Sequence, residues 1–84
     1  MVALDDDLRT KLEQDPKAIV SLIVRTQQNR DQDLESLRAR GLTIRHTYSL
    51  ISAVAIQGPA SAALALTREP WIVSIEEDQE VHAL

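Results

Sequence analysis

Residues 18–25 read AIVSLIVR, and this stretch decides the fold. Almost every residue in it is apolar and several are β-branched, a composition that favours a strand over a helix. Because the run offers almost no polar face, it predicts a strand in the middle of a sheet, covered on both sides or nearly so. Residues 26–30 are polar and predict the loop that follows.

A helix and a second strand are predicted after this loop. Leu34, Leu37 and Arg38 share one helical face, and Gly41 suits the position just past the helix end. Residues 42–48 begin with alternating apolar and polar residues. That alternation is typical of a strand with one face in water.

The last third of the chain predicts a strand, a helix and a final strand. Residues 51–57 are again apolar, and Gly58-Pro59 ends this third strand and opens a helix. The helix is indicated by residues at i, i+3, i+4 and i+7, namely Ala60, Ala63, Leu64 and Thr67. Glu69-Pro70 ends it, and residues 71–75 predict the final strand.

The N-terminal residues 3–14 predict a separate helix. Asp5, Asp6 and Asp7 lie in its first turn, where the helix dipole favours negative charge. A narrow apolar stripe runs along it, formed by Leu4, Leu8 and Leu12. Asp15-Pro16 ends the helix, because the residue before a proline is pushed out of the α region.

These elements predict an α+β fold of the ferredoxin-like type, with the order β-α-β-β-α-β. Four antiparallel strands would form the sheet, with two helices on one face and the N-terminal helix as an addition. The predicted parts are an N-terminal helical extension (residues 1–16), the ferredoxin-like domain (17–78) and an extended C-terminal tail (79–84).

The composition narrows the possible functions. The chain has 84 residues, no cysteine and a net charge of −4, so disulfides and thiolate sites are excluded and nucleic acid is a poor partner. No apolar run is long enough to span a bilayer, and acidic residues stand where a signal peptide would be apolar. We therefore expect a cytoplasmic protein if the chain stands alone, with no membrane partner.

The sequence lacks the patterns that are typical of catalytic and metal-binding sites. His46 and His82 are the two histidines and lie on different elements, so a zinc site is not expected. A serine triad needs a concave pocket, for which so small a core leaves little room. There is no Gly-rich phosphate loop, and base-stacking aromatics are nearly absent. The sequence predicts no enzyme activity, no cofactor and no metal.

The end of the chain carries a family likeness. Residues 73–78 read VSIEED and residues 79–84 read QEVHAL. Together with the opening IVSLIV strand and Pro70-Trp71-Ile72-Val73, they make the chain resemble the propeptide-type inhibitors of subtilisin-like serine proteases. That family includes prodomains and free-standing inhibitors. The resemblance covers roughly residues 18–84.

The resemblance implies a product-like mode of inhibition. The tail would lie in the protease cleft as an added strand, with Leu84 in the primary P1 pocket and Ala83, His82 and Val81 at P2 to P4. The free carboxylate of Leu84 would lie beside the catalytic serine.

The resemblance also assigns roles to the sheet and to the acids before the tail. The exposed sheet face would pack on two protease helices, whose N-termini would be capped by Glu76, Glu77 and Asp78. The free inhibitor would be a monomer. A prodomain would also act as an intramolecular chaperone and be secreted with its protease. Two other classes stay open: a small-ligand-binding regulatory domain of the ACT type, and a plain protein-interaction module.

Overall fold

A computed structural model describes residues 2–27, 31–48 and 50–78 of the chain. No helix in these ranges is long and apolar enough to cross a bilayer. The strands within them are β1 (Ala3–Leu4), β2 (Ile19–Thr26), β3 (Thr43–Tyr48), β4 (Ala53–Pro59) and β5 (Ile72–Glu77). The helices are α1 (Asp6–Gln14), α2 (Asp31–Ala39), α3 (Ala60–Ala65) and a 3-10 turn (Leu66–Arg68) that directly continues α3.

The strands form a single mixed sheet in the order β1-β5-β2-β4-β3. Neighbouring strands from β5 to β3 are antiparallel, whereas β1 lies parallel to β5. The predicted α+β class is confirmed, and β2 lies at the centre of the sheet as its apolar sequence predicts. The expected cover on both faces of β2 was wrong, because the described helices all lie on one side and leave Ile19 62% exposed on the other. The predicted four-stranded, wholly antiparallel sheet was wrong, because β1 adds a fifth strand to it.

The fifth strand arises at the start of the predicted N-terminal helix. Ala3 and Leu4 pair with Ser74 and Ile75 of β5, so the helix begins only at Asp6. The Asp5 side chain accepts hydrogen bonds from the N–H groups of Asp7 (3.1 Å) and Leu8 (3.4 Å), which is a helix N-cap. This cap separates strand from helix at a point where the leucine spacing alone suggests continuous helix.

The hydrophobic core lies between one face of the sheet and all three α-helices. It joins buried residues of the sheet, such as Leu22, Val24 and Ile56, to Leu37 of α2 and Ala63 of α3. The N-terminal segment belongs to the same core through Val2, Leu8 and Leu12. Within the described ranges the helices thus form one layer, and the opposite sheet face carries none of them.

The apolar residues of the helices pack in or against the core, and Gly41 follows the helix end as predicted. Leu37 is fully buried, while Leu34 and Leu64 are half-buried and pack against the core. Gly41 has φ +86°, a left-handed conformation that favours glycine after a helix end. Trp71 also packs against the core, and its indole N–H donates to Glu69 Oε1 at 3.2 Å.

Candidate functional site

The sheet face opposite the helices is left uncovered by the described helices. Alternate residues of each strand project from it, because successive side chains in a strand lie on opposite faces. We call this surface the open face and define it by Ile19, Ser21, Ile23 and Arg25 of β2, Thr43, His46 and Tyr48 of β3, Ala53, Ala55 and Gln57 of β4, and Ser74 and Glu76 of β5.

The centre of the open face is lined by small residues. Ala53 (0% exposed) and Ala55 (3% exposed) lie on β4 between the larger side chains of β2 and β3. On the β3 side, the rings of His46 and Tyr48 meet edge to face with centroids 4.6 Å apart. Both alanines are buried although they lie on this face, so they offer almost no surface to a partner.

The three acids at the end of β5 divide between the two faces of the sheet. Glu76 is exposed on the open face, opposite Ile23 of β2. Glu77 lies on the helical side, where its carboxylate forms an ion pair with Lys11 of α1. Strand alternation therefore separates two neighbouring carboxylates. Of the predicted helix-capping residues, Glu77 is engaged by Lys11 within the chain, and Asp78 is also engaged and largely buried.

Asp78 lies just beyond β5 and returns to the open face. Its N–H donates to the carbonyl oxygen of Ser21 at 3.0 Å, which continues the pairing with β2. Its side chain is 6% exposed and lines a groove of about 440 Å³ together with Arg45, His46, Tyr48 and Ala55. Glu76 and Asp78 thus place two carboxylates at the end of the open face from which the C-terminal tail departs.

The predicted cleft-binding residues lie outside the described part of the chain. These are Val81, His82, Ala83 and Leu84, and the described residues end at Asp78. The structure therefore describes the chain up to Asp78, just before the predicted tail. The role of the tail stays a prediction from the sequence.

A second concave surface lies at the opposite edge of the sheet. A groove of about 790 Å³ runs between β1, α1 and β5 and is lined by Val2, Leu4, Leu8, Lys11 and Ile75, among others. The sequence did not predict this groove, because it exists only once β1 has paired with β5. The ion pair between Lys11 and Glu77 lies along its wall.

The described residues hold no metal-binding cluster and no unsatisfied buried polar side chain. Within residues 2–27, 31–48 and 50–78, no group of three or more His, Cys, Asp or Glu residues lies close enough to hold a metal ion. In the same ranges, no buried side-chain nitrogen or oxygen lacks a hydrogen-bond partner. Compared with protein-family models and with curated proteins, the sequence shows no match.

Proposed function

We propose that the chain inhibits a subtilisin-like serine protease, holding its C-terminal tail in the active-site cleft as a cleaved product would lie there. Strands β2 to β5 with α2 and α3 would be the ferredoxin-like unit of such an inhibitor. Segment β1-α1 would be an addition that extends its sheet and core. The resemblance of residues 18–84 to propeptide-type inhibitors is the starting point of this proposal.

One structural observation supports the proposal above the others. The open face is continuous with the end of β5, and Glu76 and Asp78 lie at its margin shortly before the predicted tail. A partner seated on the open face would therefore meet the tail at its own surface. Exposed Glu76 would face the N-terminal end of a partner helix, where unpaired N–H groups attract carboxylates. Asp78 is buried and already engaged, so Glu76 is the acid better placed for this role.

The tail would supply most of the specificity. An extended peptide binds a cleft by main-chain hydrogen bonds, and alternate side chains fill its pockets. Leu84 and Val81 are the apolar residues suited to the P1 and P4 pockets. In this arrangement a free Leu84 carboxylate would face the oxyanion hole, as the carboxylate of a cleaved product does.

The same interface would explain a chaperone role if the chain is a prodomain. A partner that binds only the folded form stabilises it by mass action, by about 2.7 kcal/mol at a hundredfold excess over Kd. Binding would equally favour the folded protease. We propose that the free inhibitor is a monomer, because a second copy bound to the open face would compete with the enzyme for the same surface.

The direct test is inhibition of peptide hydrolysis by several subtilisin-type proteases. The full chain should inhibit, and removal of Val81 to Leu84 should raise the inhibition constant by at least about a hundredfold, which corresponds to about 2.7 kcal/mol. Leu50→Ala is the matched control, because Leu50 is 98% exposed at the other end of the sheet. Absence of inhibition by the folded full chain would sink the proposal.

The two neighbouring glutamates supply a sharper test of the docking face. Glu76→Gln should weaken inhibition about fivefold, because a carboxylate at a helix N-terminus contributes up to about 1 kcal/mol. Glu77→Gln should leave inhibition nearly unchanged, because Glu77 faces Lys11 on the helical side. Equal effects of the two substitutions would show that the open face is not the contact surface.

A further inference from the structure

The groove of about 790 Å³ between β1, α1 and β5 lies beside a sheet edge that β1 covers only in part. We call it the edge groove. Strand β1 pairs with Ser74 and Ile75, after which the chain turns into α1, whereas β5 continues to Glu77. Within residues 2–27, 31–48 and 50–78, no strand pairs with this edge of β5 beyond Ile75.

The main chain of Glu77 is turned toward this uncovered edge. Asp78 donates its N–H to the carbonyl oxygen of Ser21, so its main-chain groups face β2. Successive residues of a strand direct their N–H and C=O groups to opposite edges, because bonded and non-bonded pairs alternate along an antiparallel ladder. The N–H and C=O groups of Glu77 therefore face away from β2, where β1 has already ended. Such an edge is a template for an added strand.

The edge groove has an apolar base and an acidic rim. Val2 and Leu8 are only 6% and 7% exposed, and they line the base together with Ile75. The charged residues that line the groove are four acids and one lysine, namely Asp5, Asp7, Glu76, Glu77 and Lys11. All five are exposed, and the lysine is already paired with Glu77. The charge of the groove therefore favours a ligand that is both apolar and cationic.

The charge also decides between possible occupants of the edge. A second copy of this chain would bring the same acids to the groove, and like charges that face each other across a strand pair are destabilising. Residues 79–84 contain Glu80 and neither lysine nor arginine, so they too lack the complementary charge. A partner segment that alternates basic and apolar residues has it, because successive side chains of a strand lie on opposite sides.

From these features we infer that the edge groove binds an extended basic segment of a partner protein, which adds to the sheet as a strand beside β5. Its main chain would bond to that of Glu77, its apolar side chains would contact the base, and its cations would face the acidic rim. Residues 74–77 of β5 span roughly 13 Å, which an extended segment of four or five residues covers. The inference goes beyond the proposed function and does not rest on it, because this site needs neither the tail nor a protease.

The test is an NMR titration of the full, isotope-labelled chain with a five-residue peptide of alternating lysine and valine, blocked at both ends. Binding should shift the amide signals of residues that line the groove and slow the hydrogen exchange of the Glu77 N–H. A peptide with glutamate in place of lysine should bind at least about tenfold more weakly. A lysine–valine peptide with a fully N-methylated main chain should also bind about tenfold more weakly, because it lacks the N–H donors of a strand.

Two neighbouring aspartates supply a matched pair of variants. Asp7→Lys should weaken binding of the lysine–valine peptide about fivefold, because Asp7 lines the groove. Asp6→Lys is the control, with the same charge change in the same helical turn at an exposed residue that does not line the groove, and should change binding by less than about twofold. Lys11→Met should tighten binding about twofold, because it removes the lysine from the groove and frees Glu77. Circular dichroism verifies that each variant is folded.

The outcomes are separate from those of the inhibition assay. Equal effects of the folded Asp7 and Asp6 variants, or signal changes confined to the open face, would overturn the inference. Unchanged spectra at millimolar concentrations of the lysine–valine peptide would overturn it as well. Because no protease takes part in this titration, such a result leaves the proposed function intact, and a failure to inhibit proteases leaves the edge groove in place.

Discussion

Replacing Leu12 by alanine tests whether the N-terminal segment is part of the folded domain. Leu12 is 0% exposed and lies in the same buried cluster as Leu22 of the central strand. Truncating a fully buried leucine removes its transfer free energy and leaves a cavity, at a cost of about 2–5 kcal/mol. Because α1 lies at the margin of the core and can partly collapse into the space, we expect a loss of about 3 kcal/mol.

The loss should be measured by urea unfolding followed by circular dichroism. The midpoint should fall at an unchanged m-value, and the melting temperature should drop by at least about 12 °C in a domain of this size. Leu50→Ala, the same change at a 98% exposed site, should alter stability by less than about 0.5 kcal/mol. A loss below about 0.5 kcal/mol for Leu12→Ala would refute the packing of α1 on the core.

Three further substitutions probe single contacts, each measured by the same urea unfolding. Gly58→Ala should cost about 1–3 kcal/mol, because an added Cβ would lie 2.7 Å from Leu42 Cδ2 in the buried core; a neutral result would contradict this close approach. Gly41→Ala should cost about 1–2 kcal/mol through its positive φ alone, since nothing lies within 4 Å of the added Cβ; stabilisation would contradict the left-handed turn. Lys11→Met should cost less than about 1 kcal/mol, because its ion pair with Glu77 is largely exposed; a larger loss would mean that this pair helps to secure α1.

The antiparallel strands were predictable because the residues of each strand show a pattern that is typical of strands. The apolar run of β2 and the alternation at the start of β3 have the periods that strands require. Strand β1 was not predictable in this way. It has only two residues, Ala3 and Leu4, and Leu4 continues the helical spacing of Leu8 and Leu12. Its pairing with β5 joins residues about 70 positions apart, which no local pattern encodes.

The candidate site was predictable in part for similar reasons. The acidic run at residues 76–78 is visible in the sequence, but its division between two faces follows from where β5 ends. Arg25 looks like an ordinary polar end to an apolar strand. The notch that Arg25 lines with Ile51 and Val73 forms only in the folded chain, because these residues are distant in sequence.

The crystal structure of this chain bound to a subtilisin-type protease is the most direct test of product-like inhibition. We predict that the Leu84 carboxylate lies about 3 Å from the oxyanion-hole donors, with the Leu84 side chain in the P1 pocket and the open face against the enzyme. A complex in which Leu84 lies away from the catalytic serine, or in which the open face stays in solvent, would contradict the account.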